Sequence, residues 1–279
     1  GVDQEGCLPK TAWPPTYIGN CIFGNDREEI IMTLHMNKIP AIAQVKTRAF
    51  MGKNCIIMPI FAIGFTAVMR ILYNNMDMGS SAPIEMLNAY VLSMGLVMNL
   101  GMTGIYCPCL LLAEEKEKNT LRVLMTSSVN GLEFFLGSIL PVFIVTAIIN
   151  FLLMPISGYM ISGSDLAVFA LVSILSSLTS CIIGMLLGIF AKNQVSAGTI
   201  ITPVVLIFML IPMFANMIEE LSKISRFLFT GILMDMIADI STGAKEIIKP
   251  ESIVILIAEV IISIALFIIF YRKNGFEKD

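Results

Sequence analysis

Histidine and tryptophan each occur once in these 279 residues, and only 14% of the chain is charged. The lone His35 lies outside every long apolar segment, which rules out H-E-x-x-H zinc proteases, His-ligated metal sites within apolar segments, and intramembrane Ser-His dyads. A G-x-x-x-x-G-K-(S/T) phosphate loop is missing, since Gly52-Lys53 and Gly243-Ala244-Lys245 lack the spacing. The chain is therefore not expected to bind nucleotide on its own. Its formal net charge is −3, and no basic patch with interleaved aromatics points to nucleic acid. The six cysteines (Cys7, Cys21, Cys55, Cys107, Cys109 and Cys181) are scattered, mostly in or beside apolar stretches, which argues against a secreted disulfide framework. Cys107-Pro108-Cys109 has soft-metal donors, but no second cysteine pair or nearby histidine completes a site. A kinked, cysteine-bearing helix is the reading there, and no metal is expected. Gly163-Ser164-Asp165 has a protease-like turn but no partner aspartate, so a helix cap is expected.

What is present is apolar. Hydrophobic residues make up 56% of the chain and the mean hydropathy is +0.84, which defines an all-α integral membrane protein. Six segments approach the roughly 20 residues needed to cross a bilayer. They fall at about 55–73, 87–113, 134–160, 166–191, 195–217 and 253–271. The second and third are long enough to tilt or to be interrupted, at Pro108 and at Pro141 or Pro155. No internal repeat recurs.

Residues 1–36 read as a disordered tail or as translated upstream sequence, with Met32 and Met36 both able to serve as initiators. Residues 37–279 form the six-span domain. Its first stretch, Asn37 to Asn54, reads as an amphipathic helix on the inner membrane surface, with Ile42, Val45 and Ala49 on one face. The long connection from Ile218 to Ser252 keeps a helical stripe through Leu221, Ile224, Leu228, Ile232 and Met236. Gly231 and Gly243 are expected to break it into short membrane-resting or re-entrant helices.

Lysine and arginine set the orientation. With both termini inside, the inner side collects Lys38, Lys46, Arg48, Lys53, Lys116, Lys118, Arg122, Lys192, Arg272, Lys273 and Lys278. The outer side has Arg70, Lys223, Arg226, Lys245 and Lys249, nearly all in the one long loop. Both termini are thus expected in the cytoplasm of a plasma-membrane protein.

One charged passage, Glu114 to Gly137, interrupts the apolar pattern. Glu114 precedes Lys118 by four residues, as helix-surface ion pairs prefer. Leu121, Leu124, Met125 and Ser128 then share a helical face, suited to seating in another protein's groove. This passage resembles the cytosolic loop of the type-two ABC exporter (ABC-2 type) permeases. The matching residues are Glu115, Glu117, Lys118, Thr120 and Leu121, followed by Thr126, Ser127, Glu133 and Gly137. Ser128 and Ser138 depart from the family pattern, which often has proline and a basic residue there.

The resemblance implies a permease subunit with no cofactor of its own, ATP and Mg being held by a separate ABC ATPase. It also implies a second permease chain, and assigns ATPase coupling to Glu114, Glu115, Glu117, Thr120, Leu121, Leu124, Met125, Glu133 and Gly137. A substrate path is expected along the second and fifth spans, with Asn99, Met102, Thr199, Thr202, Phe208 and Met209 as lining residues. The cargo implied is hydrophobic or amphiphilic: an antimicrobial peptide, a drug-like compound or a lipid.

Asn99 and the other polar residues within the spans, Asn150 and the Ser176 to Ser180 cluster, read mostly as helix–helix glue. Gly184 and Gly188 form a G-x-x-x-G that permits close packing. Glu259 is more demanding, because an ionised acid at that depth costs about 2.5–3.5 kcal/mol on insertion scales. It either pairs, with Arg70 as the expected partner, or lines a wet path, or is protonated. The competing function is an ion-coupled secondary transporter or a sodium exporter using Glu259. A membrane-embedded enzyme is disfavoured by the missing histidine and acid pair.

Overall fold

The computed structural model describes residues 43–44, 47, 50, 53–75, 83–118, 131–244 and 246–274. All of these fall in one unit, Leu34–Asp279. The tail, most of the 37–54 stretch, and Thr120, Leu121, Leu124 and Met125 lie outside the described residues.

Among the described residues, six helices are long and apolar enough to cross a membrane. The first, α1, is Lys53–Asn75. The second crossing joins α2 (Ile84–Asn99), a π-helical stretch (Leu100–Tyr106) and α3 (Cys107–Glu117). It is followed by α4 (Gly131–Ser157), α5 (Ser164–Phe190) and α6 (Gln194–Phe214). Two shorter helices, α7 (Glu219–Ser225) and α8 (Phe229–Thr242), precede the last crossing, α9 (Pro250–Asn274). Among the described residues there is no β-strand. The starts follow local chemistry: Pro250 opens α9, where its missing N–H costs nothing. Asn193 and Ser196 form a reciprocal capping box on α6.

The second crossing is the axis of the bundle. Its most apolar window is 89% buried, against 22%, 22% and 17% for α1, α6 and α9. The last three therefore carry the outward apolar faces, with Ile60, Ile71, Ile207, Val254 and Ile261 exposed. Two apolar clusters are threaded on the axis. One gathers Leu92, Leu96 and Leu100 with Leu153, Phe169, Phe229 and Leu233. The other gathers Cys107, Leu110 and Leu111 with Phe135, Val142, Met185 and Phe267.

The expected interruptions fall differently. α4 runs unbroken through Pro141 and Pro155. In the second crossing the irregularity lies before Pro108, in the π-helical turn. In α geometry the proline ring would press on the carbonyl four residues back, that of Gly104. Widening the turn from Leu100 to Tyr106 removes that clash while the chain stays helical.

α5 lies close against this region. A Cβ on Gly184 would stand 2.3 Å from the Ile105 carbonyl oxygen, and one on Gly188 would stand 3.3 Å from the Cys109 Cα. The G-x-x-x-G of α5 is thus where two backbones meet. Beside it, Asn99 Nδ2 donates to Asn150 Oδ1 at 2.8 Å, and Asn150 Nδ2 donates to Ser173 and Ser177 at 2.8 and 3.1 Å. These bonds link three crossings through a polar seam.

The long connection also differs from expectation at one point. Gly243 ends α8 in the left-handed conformation, but Gly231 lies inside α8. The chain breaks instead at Arg226–Leu228. α8 packs chiefly on α2, and Phe229 to Met234 are buried. Phe229 meets Phe208 of α6 with ring centroids 5.0 Å apart, six residues before α6 ends. α8 therefore begins inside the bundle and climbs back toward Pro250, as a re-entrant helix does.

Candidate functional site: the charged end of the second crossing

α3 ends in Glu114-Glu115-Lys116-Glu117, and its last turn reaches two different helix ends. Lys116 Nζ donates to the carbonyl oxygens of Ile189 and of Ala191, the latter at 3.2 Å. These carbonyls close α5. Glu117 Oε2 accepts the backbone N–H of Gln194, the first residue of α6, at 3.1 Å. The cation thus sits on a helix C-terminus and the anion on a helix N-terminus, each matched to the local dipole. Lys118 closes an i,i+4 ion pair with Glu114; that hydrogen bond also raises the ammonium pKa above its usual value. Two neighbouring side chains thereby straddle the three-residue turn between α5 and α6.

Of the residues expected to couple to a partner, Glu114 and Glu115 are half-buried and Glu117 is exposed on α3. Gly137 is buried near the start of α4. The side chain of Glu133 lies outside the described residues, as do Thr120, Leu121, Leu124 and Met125. Lys116 and the Gln194 N–H were not singled out from the sequence. The Asn193-to-Ser196 capping pattern was a visible sign of a tight helix start there, but its distance from Glu117 along the chain hid the pairing.

The expected path residues separate. Asn99 is fully buried in the polar seam, donating also to the Thr146 carbonyl at 3.0 Å. Both its N–H groups are spent on α4, on the Thr146 carbonyl and the Asn150 side chain, so it ties the second crossing to the third. Thr199 and Thr202 are exposed on α6, with hydroxyls turned back to Val195 and Gly198 at 3.2 and 2.7 Å. Met102, Phe208 and Met209 are half-buried.

Arg70 and Glu259 do not pair. Arg70 Nη1 donates to the carbonyls of Pro155 and Ile156 at 3.3 and 3.0 Å, capping α4. Glu259 Oε1 accepts the Phe229 N–H at 3.2 Å, at the start of α8. Each charge found a helix end of the opposite sign, which satisfies it without the other residue. Among the described residues, no group of three His, Cys, Asp or Glu side chains gathers as a metal site.

An all-helical bundle of six crossings, with a charged helix end tied to a turn between two others, defines a multi-pass membrane protein. The family model described as ABC-2 family transporter protein matches residues 79–269, and the chain belongs to that family: it is a membrane permease of the ABC transporter type. None of the curated proteins compared with the chain matches it.

Proposed function

We propose that this chain is the membrane subunit of an ATP-driven exporter, paired with a second permease chain and a separate ABC ATPase. ATP and Mg would be bound by that ATPase. The Glu117 end and both termini face the cytosol of the plasma membrane, and the cargo is hydrophobic or amphiphilic. The observation that supports this reading is the double tie of Lys116 and Glu117 to the Ile189–Gln194 turn. A push on the passage beyond Lys118 would then move the second, fourth and fifth crossings together, not the second alone. The exposed α6 face with Thr199 and Thr202 would move with it, flanked by Met102, Phe208 and Met209 as path residues.

The experiment is Leu124→Asp in the full chain. ATPase copurification and ATP-driven transport should be lost while membrane expression stays near normal. Wild-type copurification in the mutant would remove Leu124 from the contact. Transport persisting without any ATPase would favour an ion-coupled carrier instead. Orientation is read separately, by cysteine probes in a cysteine-free background. Position 241 should react with an impermeant maleimide in intact cells, and position 118 only after permeabilisation.

A further inference from the structure

We propose that the free edge of the Arg70 guanidinium binds the phosphate of a phospholipid, in the leaflet at the end of the bundle away from Glu117. The inference does not rest on the exporter reading and holds whatever the cargo is.

Arg70 stands five residues, about 7.5 Å, before the end of α1, in a span with no other charged residue. Its Nη1 donates to the Pro155 and Ile156 carbonyls in the last turn of α4, at 3.3 and 3.0 Å. A Cβ on Gly158 would stand 2.7, 2.8 and 3.1 Å from Nη2, Cζ and Nε. Such similar distances put Gly158 over the face of the guanidinium and not at its rim. Gly158 is itself held in place. Its N–H returns to the Met154 carbonyl at 3.1 Å, and its own carbonyl accepts Asn88 Nδ2 at 3.5 Å. The guanidinium is thus fixed through one nitrogen and one face.

The edge left over is that of Nε and Nη2, which makes no hydrogen bond among the described residues. Its parallel N–H groups match two oxygens of one phosphate. The end of α4 supplies only about half a negative charge. No carboxylate among the described residues forms an ion pair with Arg70. Burial, and then Glu85 and Asp165, raise the phenol pKa of the adjoining Tyr159 above its usual value, yet neither acid bonds Arg70. A phosphodiester would bring the single negative charge that the helix end only half provides.

The surroundings suit a lipid better than a free anion. Tyr73, one turn beyond Arg70, meets Tyr90 of α2 edge-on with ring centroids 5.9 Å apart, and tyrosines gather at the membrane–water interface. α1 packs on α4, and both helices expose apolar side chains near the guanidinium: Ile71 and Leu72 on one, Phe151 and Leu152 on the other. Acyl chains would lie on these while the phosphate is held.

The test is native mass spectrometry of the full chain in detergent micelles, with added phosphatidylethanolamine or with diacylglycerol carrying the same chains. Wild type should retain one phospholipid per chain, and diacylglycerol only at background. Melting should rise by about 5 °C at a 100-fold excess of phospholipid over Kd. Arg70→Gln should lose both effects. Arg70→Lys, which keeps a charge for α4 but not the fork, should bind at least tenfold more weakly while eluting as a folded species. Diacylglycerol retained as well as the phospholipid would overturn the proposal. So would an Arg70→Lys protein with wild-type affinity. Inorganic phosphate that raises melting as far as the phospholipid does would mean a free-anion site, which also overturns it.

Discussion

Glu117 reaches across from the end of the second crossing to the first backbone N–H of the fifth, at Gln194, over 3.1 Å. The bond is exposed, so its contribution to folding is modest, under about 1 kcal/mol. Its effect should fall on coupling. Glu117→Ala is expected to shift Tm by no more than about 3 °C while lowering ATP-driven transport severalfold relative to ATP hydrolysis. Glu117→Gln, which keeps an acceptor oxygen, should retain most transport. Paired transport and ATPase assays in proteoliposomes check this.

Gly158 follows α4 with φ +81, a conformation that L side chains adopt at a cost of about 1–2 kcal/mol. A Cβ there would also meet the Arg70 guanidinium at 2.7 Å. Gly158→Ala should lower Tm by several degrees. Part of that loss should be recovered with Arg70→Ala, since the collision vanishes while the backbone strain remains. Melting of the two single variants and the double variant in detergent measures the coupling.

Arg70 and Glu259 should behave as strangers. Each is satisfied by a different helix end, so Arg70→Gln and Glu259→Gln are expected to add, with a coupling energy within about 0.5 kcal/mol of zero. A double-mutant cycle on thermal stability reads this directly. A coupling well above that range would restore the ion pair expected from the sequence.

Close backbone packing at α5 gives the fourth expectation. Gly184→Ala pushes a methyl group to 2.3 Å from the Ile105 carbonyl oxygen, whereas Gly64→Ala meets nothing within 4 Å. The first should destabilise by about 1–3 kcal/mol, as overpacking does. The second should be neutral. Comparing monodisperse yield and Tm for the pair separates local collision from a general intolerance of helix glycines.

Much of this architecture was legible because membrane crossings announce themselves by length and apolarity. The polar seam was legible in kind, since Asn150 and the serines of α5 had little else to do at that depth. Asn99 reads both as glue and as a path residue, because sequence spacing cannot tell a path-facing residue from one facing a neighbouring helix. Arg70 and Glu259 misled for a related reason. Opposite charges at similar depth invite pairing on paper, but helix ends offer partners that carry no charged letter. The start of α8 at Phe229, and not at Gly231, was hidden because a glycine serving close approach looks the same as one ending a helix.

The π-helical turn in the second crossing has a torsional consequence. A π turn holds about one residue more than an α turn, so reverting Leu100–Tyr106 to α geometry would turn α3 by about 100° against α2. Lys116 and Glu117 would swing away from Ile189, Ala191 and Gln194 together. Their grip on that turn therefore also resists unwinding of the crossing. Force reaching α3 from beyond Lys118 would meet a wound shaft held at the end where it arrives, and would be delivered to α5 and α6 as rotation as well as thrust.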